Sequence, residues 1–467
     1  MNTQFTLPPR EFEPSIFRAY DIRGIVDKTL NDDTVYAIGR AFAAQCLADQ
    51  ISQVTLAADG RLSSPTYKRI LAQGLVDGGM QVTDIGFAAT PILYFAVVNS
   101  DSQTGIMITG SHNPVDYNGF KLMIAGDTLA NDEIQALKQR IETNELPAVA
   151  GGALTQADPR PSYHNYIRND IQLARPMKVV IDCGNGIPGE DAPALFTSLG
   201  CEVTAMYCEV DGSFPNHHPD PSKPKNLIDA TAKVKALGAD LGLAFDGDGD
   251  RVGLITPKGQ LVDTDRLMLL LSDDLLSRHP GAEVIYDVKC SRILPQRIES
   301  QGGIATMWKT GHSLMKRKMR SSAALIGGEM SGHIYFKERW FGFDDGLYAA
   351  ARLLEILSQH KQSADELFDS YPRDLATPEL NIAVSEQEKF AIVDALSKHD
   401  FGSGQVSRVD GIRVDYDNSW GLIRASNTTP VLVLRFEGKT AQDLHQVKQI
   451  FAQALYAIDP QLHIPEE

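Results

Sequence analysis

The sequence predicts an α/β fold class: three similar α-β-α sandwich domains with parallel or mixed sheets, then a smaller C-terminal α+β domain. Two observations predict it. An apolar strand–helix rhythm recurs three times, and each time it runs into a distinctive polar loop. After Tyr371-Pro372-Arg373 the pattern changes to strands that follow one another directly between two helical stretches. Strands alternating with helices build βαβ units and largely parallel sheets, whereas consecutive strands build antiparallel ones.

In the first repeat, Val54-Thr55-Leu56-Ala57-Ala58 leads on to Gly105-Ile106-Met107-Ile108 and then to Thr109-Gly110-Ser111-His112-Asn113-Pro114. In the second, Val179-Val180-Ile181 leads on to Leu241-Gly242-Leu243-Ala244-Phe245 and then to Asp246-Gly247-Asp248-Gly249-Asp250-Arg251. In the third, Val284-Ile285-Tyr286 leads on to Ala323-Ala324-Leu325-Ile326 and then to Gly327-Gly328-Glu329-Met330-Ser331-Gly332-His333. The tail reads as a strand, a helix over 387–399, strands over 411–416, 421–424 and 431–436, and a helix over 440–458. Breaks are expected in the Ala-, Gly- and Pro-rich stretch 147–161, at the turn signal Pro257-Lys258-Gly259, which a hairpin would equally produce, and at Tyr371-Pro372. The expected domains are therefore 1–157, 158–260, 261–372 and 373–467. Functional loops of such sheets lie beyond the carboxyl ends of the strands.

The bulk composition removes several classes of function. At 467 residues, 43% apolar and 22% charged, the chain suits a soluble protein of three or four domains. No apolar run approaches the ~18–20 residues of a membrane span, and the first residues show no secretory pattern. Five cysteines without a C-x-x-C suit reduced thiols, so a cytoplasmic location is expected. A net charge of −16 argues against general nucleic-acid binding. It also means that an anionic substrate must be held by a local basic pocket, because the global field repels it.

The aspartate loop carries the sharpest chemistry. Carboxylates at i, i+2 and i+4, separated by glycines, can curl around one cation; without one they would raise one another's pKa values. An EF-hand is excluded by position, because its sixth residue would be Arg251 and its twelfth Pro257. Mg²⁺ completed by a phosphate oxygen fits the hard oxygen ligands better. In the third loop Glu329 can accept two hydroxyl protons and Ser331 adds a donor and an acceptor, a pair that is uninformative on its own. His333 is a candidate acid/base, since imidazole titrates near ~6.5. Arg424-Ala425-Ser426-Asn427-Thr428-Thr429-Pro430 offers a guanidinium fork with hydroxyls, an amide and loop N–H groups, a donor set for phosphate. Two features read differently. His217-His218 in a Pro-rich loop reads as structural rather than metal-binding. Gly184-Asn185-Gly186-Ile187-Pro188-Gly189 satisfies G-x-G-x-x-G, and Glu209 lies about twenty residues on, but Pro188 interrupts the loop and the motif alone is weak.

These loops together resemble the α-D-phosphohexomutases, and the resemblance runs from about Ser15 to the last helix. It implies four domains around a central cleft, each supplying one loop. It implies that Ser111 carries the transferred phosphate and completes a Mg²⁺ site with Asp246, Asp248 and Asp250. His112 would flank the phosphate, Lys121 would supply positive charge or shuttle a proton, and Arg251 would neutralise charge or orient the phosphate. Phe17-Arg18-Ala19-Tyr20-Asp21-Ile22-Arg23-Gly24 resembles the family's amino-terminal segment, with Tyr20 and Arg23 facing the ligand. Lys289 and His312 match positions on the sugar side, joined by Glu329 and Ser331. Arg424, Ser426, Asn427 and Thr428 match the clamp on the non-reacting phosphate. The implied activity is reversible interconversion of the 1- and 6-phosphates of glucose and mannose through a 1,6-bisphosphate, with glucose 1,6-bisphosphate as activator, feeding polysaccharide precursors. A monomer without nucleic-acid or membrane partners is expected. The alternatives are a phosphoglucosamine mutase, a phosphatase that admits water, and a non-catalytic sugar-phosphate sensor.

Overall fold

The computed structural model describes residues 5–427 and 429–466; Thr428, assigned above to a phosphate clamp, lies outside the described residues. The chain divides into two compact units. One holds the chain up to Asp263 with His312–Ser321 and Ser331–Leu367; the other holds Thr264–Gly311, Ser322–Met330 and the chain from Phe368. Among the described residues no helix is long and apolar enough to cross a membrane.

The first unit contains two sheets. In one, the strands Gln53–Ala58, Gln81–Phe87, Gly105–Ile108 and Ala153–Gln156 run parallel, and Tyr117–Ile124 and Ile22–Ile25 close one side in antiparallel fashion. Helices Asp32–Ala48 and Ser64–Asp77 bury Val35, Ile38, Phe42, Ile70 and Leu71 in a core shared with Leu56 and Ile106. In the other sheet, Leu241–Phe245, Lys178–Asp182 and Glu202–Met206 are parallel. Val252–Ile255 and Leu261–Val262 extend it in antiparallel fashion. The buried strands are nearly continuous apolar runs, as parallel strands covered on both faces require.

Three local features that the sequence left open or placed differently have simple causes. Pro257-Lys258-Gly259 is the tip of a hairpin, with Gly259 N–H donating to the Thr256 carbonyl and Thr256 N–H to that of Gln260. The composition break at 147–161 hides the edge strand Ala153–Gln156, whose four residues are all exposed and so lack an apolar signature. The strand expected over 323–326 forms at Ile326–Gly328, where close packing selects glycine at the last position: a Cβ on Gly328 would sit 2.4 Å from the Met268 sulfur.

The second unit pairs Glu283–Asp287 in parallel with Ile304–Trp308 and with Ile326–Gly328. Its C-terminal sheet is antiparallel: Val431–Gly438 pairs with Ser419–Ala425, which pairs with Ile412–Asp415, which pairs with Gln405–Ser407. Helix Ala441–Ile458 covers it, opened by a capping box in which Thr440 and Asp443 satisfy each other's backbone N–H groups. Arg413 ties this sheet to the loop after Glu283–Asp287. Its buried guanidinium donates to the carbonyls of Val288 (2.8 Å) and Cys290 (2.7 Å), pairs with Asp415 and lies 3.9 Å over the Trp420 ring. Hydrogen bonds from a charged group typically contribute about 1.5–3 kcal/mol each. Arg413→Met should therefore lower the melting temperature clearly, and an unchanged melt would show that the tie carries no stability.

Candidate active site

Ser111 stands just past the carboxyl end of the strand Gly105–Ile108. The loop is held from beneath by residues following the neighbouring strand. Asp59 accepts from Thr109 Oγ1 (2.8 Å) and from Gly110 N–H (3.2 Å). The Arg61 guanidinium donates to the carbonyls of Ser111 (2.8 Å), Asn113 (2.6 Å), Pro114 (2.6 Å) and Tyr117 (2.9 Å). A Cβ on Gly110 would lie 2.4 Å from Arg61 Nε, so glycine is what lets the guanidinium pass. These bonds hold Ser111 at φ 48°, a left-handed conformation that costs a non-glycine residue on the order of 1–3 kcal/mol. Strain of this kind marks a side chain aimed at a set direction.

That direction is the aspartate loop after Leu241–Phe245. Asp246, Asp248 and Asp250 are fully buried, each with a carboxylate oxygen within 4.8 Å of the others'. Ser111 Oγ donates to Asp246 Oδ2 at 2.9 Å and lies 3.1 Å from His112 Nδ1. Lys121 Nζ donates to Asp248 (2.7 Å) and Asp250 (2.5 Å), and Thr90 Oγ1 donates to Asp248 at 2.5 Å. Asp248 Oδ1 is buried without a hydrogen-bond donor, and Asp250 Oδ1 faces His333 Nε2 at 3.4 Å. An all-oxygen donor set with an orphaned carboxylate oxygen fits a hard divalent cation such as Mg²⁺.

The electrostatics follow from this crowding. Burial, then Asp250 and Asp248, push the Asp246 carboxyl well above the usual range. Burial opposes charge on Lys121, but Asp248 and Asp250 outweigh it and hold the ammonium well above its ordinary value. Asp250 falls well below its own: burial resists ionisation, and Lys121 and His333 overcome it. Burial, then Arg251 and Arg23, push His112 well down, so its imidazole is neutral at pH 7.

The glycine-rich loop 184–189 has a clear structural task. Gly186 packs directly on the aspartate loop: a Cβ there would lie 2.8 Å from the Gly247 carbonyl oxygen. Ile187 N–H donates to that same carbonyl at 3.1 Å. The loop seats backbone rather than a dinucleotide. His217 is likewise structural, with Nε2 3.0 Å from both Asp182 carboxylate oxygens, and His218 bonds the His112 carbonyl.

Other expected residues of the first unit gather near these loops. Arg23 donates to Asn113 Oδ1 (2.5 Å) and pairs with Asp21 (2.6 Å). Tyr20 sits edge-on to His312, ring centroids 5.4 Å apart. Arg251 Nε lies 3.3 Å from His333 Nε2, whose Nδ1 is 2.7 Å from Ser331 Oγ. In the second unit, Lys289 pairs with Glu379 (3.1 Å), Glu329 accepts from Gly311 N–H (2.7 Å), and Arg424 pairs with Asp410 (3.0 Å). Ser426 Oγ lies 2.8 Å from Thr429 Oγ1, and Asn427 follows it in the same loop.

The sequence reading missed the residues that position these. Asp59 and Arg61 directly follow a recognised strand and were legible there. Asp287, two residues before Lys289, is the hub of its loop: it accepts from Lys289 N–H, Cys290 Sγ, Thr310 Oγ1 and Met330 N–H. Lys316, on the helix His312–Ser321, donates to Asp344 (2.7 Å) and to Tyr94 (3.0 Å) and lies 3.0 Å from His312 Nδ1. Lys389 donates to the Ser426 carbonyl at 2.6 Å. Thr90, Lys316 and Lys389 were hard to find, because Asp248, Asp344 and Ser426, which they hold, are remote in sequence.

Fold and site together define an α/β enzyme of phosphoryl transfer, with a serine presented to an acidic cation site. Comparison with known proteins makes this specific. Models of the phosphoglucomutase/phosphomannomutase alpha/beta/alpha domains I, II and III match residues 14–148, 161–259 and 263–374, and that of the C-terminal domain matches 379–454. The phosphomannomutase/phosphoglucomutase of Pseudomonas aeruginosa is 56% identical over 452 residues, 97% of each chain. The phosphoglucomutase of Neisseria meningitidis serogroup A is 50% identical over 454 residues, 96% of this chain and 98% of its own. The crystal structure of a phosphoglucomutase/phosphomannomutase family protein from Burkholderia thailandensis superposes with a TM-score of 0.92 at 44% identity, covering 97% of this chain and 100% of that one. The chain belongs to the phosphoglucomutase/phosphomannomutase family.

Thr90 touches the aspartate loop twice, through Oγ1 to the Asp248 carboxylate and through N–H to its carbonyl at 2.8 Å. Removing an outer partner of a ligand typically weakens metal binding about 10–100-fold. Thr90→Val keeps the backbone bond, so the fold should persist while Mg²⁺ affinity, read by calorimetric titration, falls in that range. Unaltered affinity would show that the hydroxyl does not orient the ligand.

Proposed function

We propose that this enzyme, an isomerase, reversibly interconverts the 1- and 6-phosphates of both glucose and mannose. The observation that carries the proposal is Ser111 itself, strained toward a buried cluster of three carboxylates and hydrogen-bonded to one of them. A binding protein needs no such acceptor. In the proposed reaction a phosphoryl group on Ser111 passes to the free hydroxyl of a sugar phosphate. The resulting 1,6-bisphosphate turns over without leaving, and its other phosphate returns to Ser111. Glucose 1,6-bisphosphate is the proposed activator, because it can restore a phosphate lost from Ser111.

Ser111, Asp246, Asp248 and Asp250 would hold Mg²⁺, which supplies charge stabilisation to the phosphoryl group when bound. Lys121, Arg251 and Arg23 add positive charge, so catalysis is largely positioning and electrostatics. Neutral His112 flanks Ser111, and His333 is the proposed acid/base for the sugar hydroxyl. Tyr20, Lys289, His312, Glu329 and Ser331 are proposed to bind the sugar side. Arg424, Ser426, Asn427 and Thr428 are proposed to hold the non-reacting phosphate. The proposed domains are 1–157, 158–260, 261–372 and 373–467. One chain supplies every proposed ligand, so a monomer is the proposed working unit. Phosphorylated hexoses are charged metabolites retained in cells, so the proposed location is the cytoplasm and the proposed role is supply of surface-polysaccharide precursors.

The test is to incubate the protein with Mg²⁺, a trace of glucose 1,6-bisphosphate and either mannose 1-phosphate or glucose 1-phosphate, following the phosphorus NMR signals. Both should become 6-phosphates, and Ser111→Ala should convert neither. Free phosphate without isomer would make the enzyme a phosphatase; silence with both sugars and turnover of glucosamine 1-phosphate would make it a phosphoglucosamine mutase. If Glu329 grips the sugar away from carbon 2, where glucose and mannose differ, Glu329→Gln should lower kcat/KM for both by a similar factor of about ten or more. Full retained activity on both sugars would remove that role.

A further inference from the structure

Two cysteines outside the reaction lie against each other. Cys183 Sγ and Cys208 Sγ are 3.5 Å apart, just past the ends of the parallel strands Lys178–Asp182 and Glu202–Met206. A disulfide bond spans about 2.05 Å, so roughly 1.5 Å of closure separates contact from bond. Cys183 is buried, while Cys208 is only partly buried. The pair presses on the loop that seats the metal site. The Cys183 carbonyl accepts from Gly186 N–H at 2.7 Å, and the next residue, Ile187, donates to the Gly247 carbonyl between Asp246 and Asp248. On the other side, a Cβ on Gly189 would lie 2.1 Å from the Cys208 carbonyl oxygen. Contacts this close leave the loop no slack with which to absorb a shift of either cysteine.

We infer that Cys183 and Cys208 form a reversible disulfide under peroxide stress, and that its formation shifts the 184–189 loop and weakens the metal site. The chemistry is asymmetric. Burial keeps the Cys183 thiol protonated, and Cys208, the less buried of the two, is the first to meet an oxidant. The Cys208 thiolate attacks a peroxide oxygen, breaking the O–O bond and giving a sulfenic acid and hydroxide. The Cys183 thiol then attacks that sulfur, forming the S–S bond and releasing water. Overall two thiols are oxidised and one hydrogen peroxide is reduced to two waters. A cytosolic thiol pool reverses the bond by exchange, so the reduced state is the resting one.

The experiment oxidises the full-length protein with hydrogen peroxide, blocks free thiols and maps peptides by mass spectrometry, in parallel with Mg²⁺ titration calorimetry and turnover of glucose 1-phosphate. A Cys183–Cys208 linked peptide two hydrogens lighter than the free pair is expected, with Mg²⁺ affinity and turnover each reduced several-fold and restored by dithiothreitol. Cys208→Ser should keep its basal turnover and Mg²⁺ affinity and lose neither on oxidation; Cys208→Ala provides the same comparison without a hydroxyl. The inference is overturned if the two cysteines stay unlinked, if the link forms with Mg²⁺ affinity unchanged, or if the variants are inactivated as fully as the parent. The mapping and calorimetry do not depend on which sugar is the substrate, so they test the inference even if the proposed specificity fails.

Discussion

Three carboxylates that share one dry space are the constraint around which the rest is arranged. Like charges 4 Å apart repel by about 4 kcal/mol even at an effective dielectric of 20. Asp246, Asp248 and Asp250 can coexist only because the fold supplies compensation from several directions. Lys121 comes from the strand Tyr117–Ile124 of the first sheet and bridges two of them. Thr90 opens the helix Thr90–Val98 and donates to one of these two, and Ser111 donates to the third. Burial and the neighbouring Asp250 and Asp248 carboxylates still push the Asp246 carboxyl up, a charge conflict that a divalent cation would relieve. Two sheets of one unit are thus locked together by a charge problem that neither could solve alone.

The same constraint explains the strained serine. A relaxed loop would let Ser111 turn toward its own sheet. The Arg61 guanidinium prevents this by gathering four carbonyls of the loop, at the cost of burying an arginine. Asp59 both pairs with Arg61 and accepts from Thr109, so the support is itself charge-compensated. The energy stored at Ser111 is small beside what that network supplies, and the result is an oxygen fixed 2.9 Å from the first aspartate.

What was legible in the sequence, and what was not, follows from the range of each interaction. The Asp-Gly-Asp-Gly-Asp run and the Ser111 hexapeptide declare themselves because their chemistry lies within six residues. Strands such as Leu241–Phe245 were readable because burial on both faces forces a continuous apolar run. Ala153–Gln156 was not, because an exposed edge strand has no such pattern. The Gly184–Gly189 loop looked like a cofactor motif because close backbone packing selects glycine whatever approaches; only the structure shows that the approaching group is Gly247. Lys121 was found through the family resemblance, but that its ammonium sits between Asp248 and Asp250 could not be read from a lysine 127 residues away from the nearer one.

One regularity bears on how an acidic chain handles anionic substrates. The cations assigned to phosphate and sugar already have acidic partners: Arg23 with Asp21 at 2.6 Å, Lys289 with Glu379 at 3.1 Å, Arg424 with Asp410 at 3.0 Å. An isolated buried cation would bind phosphate tightly and release it slowly. A cation that exchanges one anion for another gains less on binding and loses less on release, which suits a bisphosphate that must be held, let go and held again in reverse. The paired acids also hold each side chain in place before substrate arrives, so less ordering is left for binding to accomplish. On this view the net charge of −16 is not an obstacle that the site overcomes. Part of it is the set of partners that makes the grip reversible.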